Sequence, residues 1–139
     1  MATKTSTKVA SGTPAKLLPT GVSVVSAVYS VNASLSAGDV IQMVNVPKGA
    51  MVVFCALGGI GTNQEAIVSL GDGIDTDRYI DAGTLSASSG PPKLMSYTSL
   101  ATPYVYSTDD TIDIAVSTVS LDTIGGGFHL LVMFSKDTA

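Results

Sequence analysis

The stretch VSLGDGIDTDRYIDAG, Val68 to Gly83, sets Asp72, Asp75, Asp77 and Asp81 around one arginine, Arg78. Clustered carboxylates can cage a calcium ion, work as an acid–base pair, or stiffen a loop. A calcium loop of the EF-hand type runs D-x-D-x-D-G and ends on a glutamate at its twelfth position. Here the order is D-G-I-D-T-D-R, the glycine comes early, and the closing glutamate is missing. A looser calcium site at Asp72, Asp75 and Asp77 stays open on ligand type alone.

An acid–base pair needs a substrate groove and one carboxyl of raised pKa. The only aromatic residue in the stretch is Tyr79, and the chain has no tryptophan. The third reading asks least. Gly71 and Gly73 suit a tight turn, aspartates cap turns with their own side chains, and the planar guanidinium of Arg78 binds carboxylates. The stretch is therefore read as a structural loop network of Asp72, Asp75, Asp77 and Arg78, with no metal and no cofactor.

Other chemistry finds little to work with. His129 is the single histidine and lies between Phe128 and Leu130 in an apolar run. It is read as a satisfied or interface residue, since no nucleophile elbow accompanies it. Cys55 is the single cysteine, sits within MVVFCALGG, and is expected to be buried and inert. One His and one Cys cannot build a zinc centre in a single chain. The glycine runs at Gly58 and Gly125 lead into no lysine-bearing helix, so phosphate cradling has no support. No catalytic residue is assigned, and the chain is not read as an enzyme.

Composition points towards assembly. The 139 residues suit one domain and are 45% apolar but only 13% charged, against about 25% in an ordinary soluble domain. Mean hydropathy is +0.42. A surface so short of charge implies coverage by neighbours. No window reaches the length of a membrane span. The N-terminal residues carry no secretory core, and cysteine usage fits synthesis in a reducing cytoplasm.

Charge is split along the chain. Lys4, Lys8 and Lys16 all precede the first acid, Asp39, while the other four basic residues share the remainder with all eleven acids. Residues 1–20 are rich in Ser, Thr and Ala, hold Pro14 and Pro19, and show no apolar period. They read as an extended arm with basic contacts for a neighbouring subunit. The acidic body disfavours nucleic acid, and the arm's lysines lack interleaved aromatics.

Residues 21–139 read as strand after strand. VSVVSAVYSV is β-branched, with Ala27, Tyr29 and Val31 on one face. DVIQMVNV alternates, with Val40, Gln42, Val44 and Val46 on one side. Pro47 to Ala50 turns the chain into MVVFCAL, which predicts a hairpin. Gly83 to Lys93 reads as a polar loop, and Leu94 to Tyr106 as strand broken by Pro103. TIDIAVSTV points Ile112, Ile114 and Val116 inward, and GFHLLVMFS is apolar on both faces, as a central strand or subunit contact should be. No segment combines helical period with caps. Short strands about ten residues apart predict an all-β, antiparallel β-sandwich. Loops of uneven length favour a jelly roll over an up-and-down barrel.

The run YSVNASLSAGDVIQMVNVPKGAMVVF, with VSLGDGIDTDRYIDAGTLSA after it, resembles small virion proteins of tailed bacteriophages, the head decoration or cement proteins. The likeness covers Tyr29 to Phe134 and leaves out the arm. It implies a β-sandwich subunit, often a jelly roll, that forms trimers on the outer capsid and clamps neighbouring major capsid subunits. It implies no membrane partner. The competing reading is a host-attachment or fibre module binding surface carbohydrate, for which Tyr79, Tyr97, Tyr104 and Tyr106 are the available aromatics.

Overall fold

Alternation of apolar and polar residues decides which side of each strand is dry. In the computed structural model, which describes residues 2–12, 21–32, 34–60, 65–86, 92–119 and 126–136, this sorts into two packed sheets. One has the order β1(Thr3–Thr5), β3(Val40–Val46), β8(Asp110–Val119), β5(Glu65–Asp72), β6(Ile80–Ser86). The other has the order β2(Val22–Ser30), β9(Gly127–Lys136), β4(Ala50–Ile60), β7(Lys93–Leu94). Ile112, Ile114 and Val116 of β8 and Phe128, Leu130, Val132 and Phe134 of β9 are buried in the core between them. The fold is the antiparallel β-sandwich that the sequence predicts.

The pairing has a simple rule. β2 runs antiparallel to β9, β3 to β8, β4 to β7, and β5 to β6. Residues 22–136 thus form a doubled-back ribbon, and most connections step from one sheet to the other. β9 lies between β2 and β4, in keeping with its two apolar faces.

Several local expectations give way to this topology. The turn at Pro47 does form, with Gly49 at φ +87° and Ala50 N–H donating to Pro47 O at 3.2 Å. It does not make a hairpin: β3 and β4 belong to opposite sheets, and the start of β4 bonds instead to Tyr106, whose N–H reaches Ala50 O at 2.9 Å. In β3 a bulge between Gln42 and Val44 breaks strict alternation. Ile41, Met43, Val44 and Val46 are all buried while Val40 and Gln42 are half-covered. The expected polar loop from Gly83 begins as strand, since β6 runs to Ser86. Among the described residues there are also two single-turn helices, α1(Thr7–Ala10) and α2(Tyr97–Ala101). The second is capped by Ser96, whose Oγ accepts the Ser99 N–H at 3.3 Å. Helices this short carry no apolar period to read.

Residues 2–12 lie along the sandwich edge. β1 pairs in parallel with β3, Thr3 opposite Val40 and Thr5 opposite Gln42. Ser6 closes the contact: its N–H reaches Gln42 O at 2.8 Å and its hydroxyl reaches Met43 O at 2.5 Å. The strand covers polar groups that the β3 edge would otherwise leave open.

Candidate functional site

The β5–β6 connection is the aspartate loop, and it turns back over its own sheet. Gly71 permits this by having no side chain. A Cβ there would stand 2.0 Å from Asp75 O and 2.4 Å from the Thr76 carbonyl carbon. Among the described residues, positive φ occurs at other glycines and at Ala82, so Gly71 serves close approach and not an unusual backbone angle.

Asp72 is the hub. Its side chain is wholly buried. Oδ1 accepts the N–H groups of Ile74 at 3.0 Å and Asp75 at 2.9 Å. Oδ2 takes Arg78 Nε at 2.6 Å and the Tyr106 hydroxyl at 2.9 Å. Burial alone would raise this carboxyl; Arg78, the two backbone N–H groups and Tyr106 outweigh it and hold it below the usual range. Arg78 also lies 3.8 Å from Asp75 Oδ2, and its guanidinium carbon sits 3.7 Å above the Tyr104 ring.

The hub continues inward through tyrosines. Tyr79 OH and Tyr106 OH are 2.6 Å apart, and the Tyr104 and Tyr106 rings meet edge to face with centroids 5.0 Å apart. Tyr79 and Tyr106 are both buried, and burial first of all raises both phenols well above the ordinary value. Ser99 of α2 donates to Arg78 O, so the helix clamps the loop from outside. Asp77 is exposed; a hydrogen bond with Asp75, and the nearby charges of Asp75 and Asp81, raise its carboxyl.

Asp72, Arg78, Tyr79 and Tyr106 are bonded to one another in a chain. Among the described residues, no three His, Cys, Asp or Glu side chains are placed to hold a metal ion. The four oxygen contacts on Asp72 already use its acceptor sites. Burial pushes the Cys55 thiol up to about 12, so it is no nucleophile at neutral pH.

The remaining singled-out residues are scattered. Lys4 lies 4.0 Å from Asp39 Oδ2. Asp39 also accepts the N–H of Ser36 at 3.0 Å and of Ala2 at 3.1 Å; the Ser36 bond first, then Ala2 and Lys4, lower its carboxyl against the cost of burial. Lys8 is exposed on α1, and Lys16 lies outside the described residues. His129 is exposed on the outward side of β9.

Sequence reading missed four residues. Tyr106 and Tyr104 belong to the Asp72–Arg78 network, though more than twenty residues away in the chain, and no local pattern marks them. Asp39 receives the arm; its position as the first acid after three lysines was the available signal. Asp113 stands outward on β8 beside Gly71, yet is only 6% exposed. Its Oδ1 has no hydrogen-bond partner among the described residues. Burial, and then the charges of Asp110 and Asp72, raise it to about 6.

No protein-family model and no curated protein sequence matches the chain. Solved structures do match in fold. A chain from the capsid of Ralstonia phage GP4 superposes with TM-score 0.81 over 99% of both chains at 14% identity. A chain from the capsid asymmetric unit of cyanophage Pam1 gives 0.71 over 90% of this chain and 91% of that one, at 17% identity. A chain from the acid-stable capsid of Helicobacter pylori bacteriophage KHP30 gives 0.55 over 81% and 86%, also at 17% identity. The chain shares their fold across nearly its whole length.

Proposed function

We propose that this chain is a structural protein of a tailed-phage virion that decorates the outer capsid and clamps neighbouring major capsid subunits. The observation that carries the reading is the end-to-end match in fold with a chain of the GP4 capsid, 99% of each. The nesting of β2 with β9, β3 with β8, β4 with β7 and β5 with β6 supports a jelly-roll sandwich. The domain plan is an arm over residues 1–20 on a body over 21–139. The subunit works as a homotrimer, without cofactor, nucleic acid or membrane.

Clamping is a matter of summed weak contacts. Three copies held together present three shell-binding surfaces at once, so release requires all to let go. The Asp72–Arg78–Tyr106 network has a mechanical part: it fixes an exposed loop to the core, so a shell contact made there meets a pre-ordered surface. The arm supplies basic contacts through Lys8 and Lys16, with His129 on a separate face, while Lys4, which faces Asp39 of the same chain, helps hold the arm to the body.

The carbohydrate-binding alternative loses its platform. Tyr79 and Tyr106 are buried and Tyr104 is covered by Arg78, which leaves Tyr97 as the exposed member of the set. Stacking on sugar needs open ring faces.

The test is capture by shell. Purified chain is mixed with capsids of the source phage that lack it, and the particles are sedimented and heated. Co-sedimentation at a saturable stoichiometry with a higher temperature of genome release is the expected result. Particles that take up none of the chain at micromolar concentration contradict the reading.

A further inference from the structure

One outer strand has a side without a partner. β2 is nine residues long, lies at the end of its sheet and pairs with β9 alone. The register fixes which peptide groups that pairing uses. Val31 N–H donates to Gly126 O at 2.8 Å. The pairing from Ser30–Gly127 to Val22–Ser135 continues in step with it, without a bulge. Hydrogen-bonded and non-hydrogen-bonded pairs alternate in an antiparallel ladder. Odd-numbered residues of β2 therefore bond to β9. Val22, Val24, Ser26, Val28 and Ser30 turn their N–H and C=O groups to the open edge. Among the described residues no backbone hydrogen bond reaches these five.

Edge strands are ordinarily blunted by charge, proline, a bulge or a cover. The other edges of this sandwich follow that rule. β1 and Ser6 cover β3. β6 is kinked at Ala82, φ +46°, and Lys93 Cγ lies 3.3 Å from where a Cβ on Gly83 would be. β2 has no such device. Its sequence, VSVVSAVYS, holds no Asp, Glu, Lys, Arg, Pro or Gly, and the side chains of the five edge-facing residues are all exposed. A straight, uncharged edge of about 30 Å is a template for strand addition.

We infer that the β2 edge receives an extended segment of a neighbouring shell subunit, added as a further strand beyond β2. Its donors and acceptors repeat every second residue, about 6.8 Å, which another extended chain matches and a globular surface does not. The segment is uncharged where it faces Val24 and Val28, since a charge there would lose water without gaining a partner. A second copy offers a trimer no such strand. Its β6 is kinked, its β7 has two residues, and its β1 already pairs with β3. β2 against β2 is a two-fold contact, which cannot be repeated round a three-fold axis. The inference rests on the shell-binding trimer of the proposed function and gives its shell contact a surface and a geometry.

Proline tests it, because proline at an even position of β2 removes an N–H that only an added strand would use and leaves the β9 ladder intact. The full chain carrying Val24→Pro and Val28→Pro should keep its circular dichroism and melting transition. It should bind capsids of the source phage that lack the chain more than about 10-fold more weakly than wild type. Val24→Thr with Val28→Thr keeps both N–H groups and should bind within about 3-fold of wild type. Hydrogen exchange supplies a reading that needs no variant: the amides of Val24, Ser26 and Val28 should exchange fast in the free chain and become protected on capture. Capture of the proline variant at wild-type affinity, or capture without new protection of those amides, overturns this inference and leaves the decoration role standing. A free-chain dimer in analytical ultracentrifugation that the prolines dissolve also overturns it, since the occupant is then a second copy. Wild type that no capsid takes up removes the decoration role and this inference with it.

Discussion

Arg78 Nε lies 2.6 Å from Asp72 Oδ2, within a loop whose sequence reads as a structural Asp–Arg network. The pair is six residues apart, and the oxygen that binds Arg78 also binds Tyr106, thirty-four residues away. One carboxylate thus ties the loop and the segment before β8 together, and α2 joins them through Ser99, which donates to Arg78 O. Breaking a buried, hydrogen-bonded pair from one side strands the other charge.

Asp72→Ala is accordingly expected to destabilise the chain by about 3 kcal/mol, read as a lower midpoint in urea with little change in slope. Asp77→Ala, an exposed position in the same loop, should change stability by less than about 0.5 kcal/mol. Equal effects from the two would mean that Asp72 is no hub.

Gly71→Ala tests close approach. Its Cβ would fall on the Asp75 and Thr76 backbone, so the loop must lift from the sheet. The expected loss is about 3 kcal/mol, with faster hydrogen exchange in residues 72–79. A variant as stable as wild type would show that the loop does not lie where it is described.

Ala82 has φ +46°, in the left-handed region where a Cβ is strained. Ala82→Gly should raise stability by about 0.5–1 kcal/mol, the strain relieved exceeding the added freedom of the unfolded chain. A fall in midpoint would contradict this.

Asp113 gives a pH signature of unusual sign. Its folded value, about 6, lies above its unfolded value near 4. The ionised form is thus disfavoured by folding, and stability should rise by about 2 kcal/mol as pH falls from 7 to 4. Asp39 and Asp72 are shifted down, so their contribution is present above pH 4 and lost only as pH falls through their lowered values. Net stability should therefore peak on the acid side of neutrality. Asp113→Asn should remove the rise between pH 7 and 4 and keep the loss below it, as followed by thermal melts across that range.

The sandwich was legible because period-two alternation in β8 and β9 is clean and long, and because both apolar faces of Phe128–Phe134 demand a central strand. The bulge in β3 was not legible: Met43 breaks the alternation, and nothing local distinguishes Met43 from its neighbours. The supposed hairpin at Pro47 failed for a related reason, since turn chemistry fixes a reversal and not the sheet to which each arm belongs. The Asp72–Arg78 pair lay within one short stretch and could be read from it. Tyr104 and Tyr106 could not, because their place depends on how α2 folds back across the loop. The outer face of β2 was hidden in plain composition: Val22, Val24 and Val28 look like core residues until the opposite parity, Ala27 and Tyr29, is seen to be the buried one.

The central claim is that the chain belongs on a capsid, and a cryo-electron reconstruction of the source virion tests it most directly. The account predicts sandwich-shaped density seated between capsomers over the whole shell, into which this fold fits with its aspartate loop ordered. Virions that contain the chain only at the tail, or a shell with no such density in particles that retain it, would contradict the account.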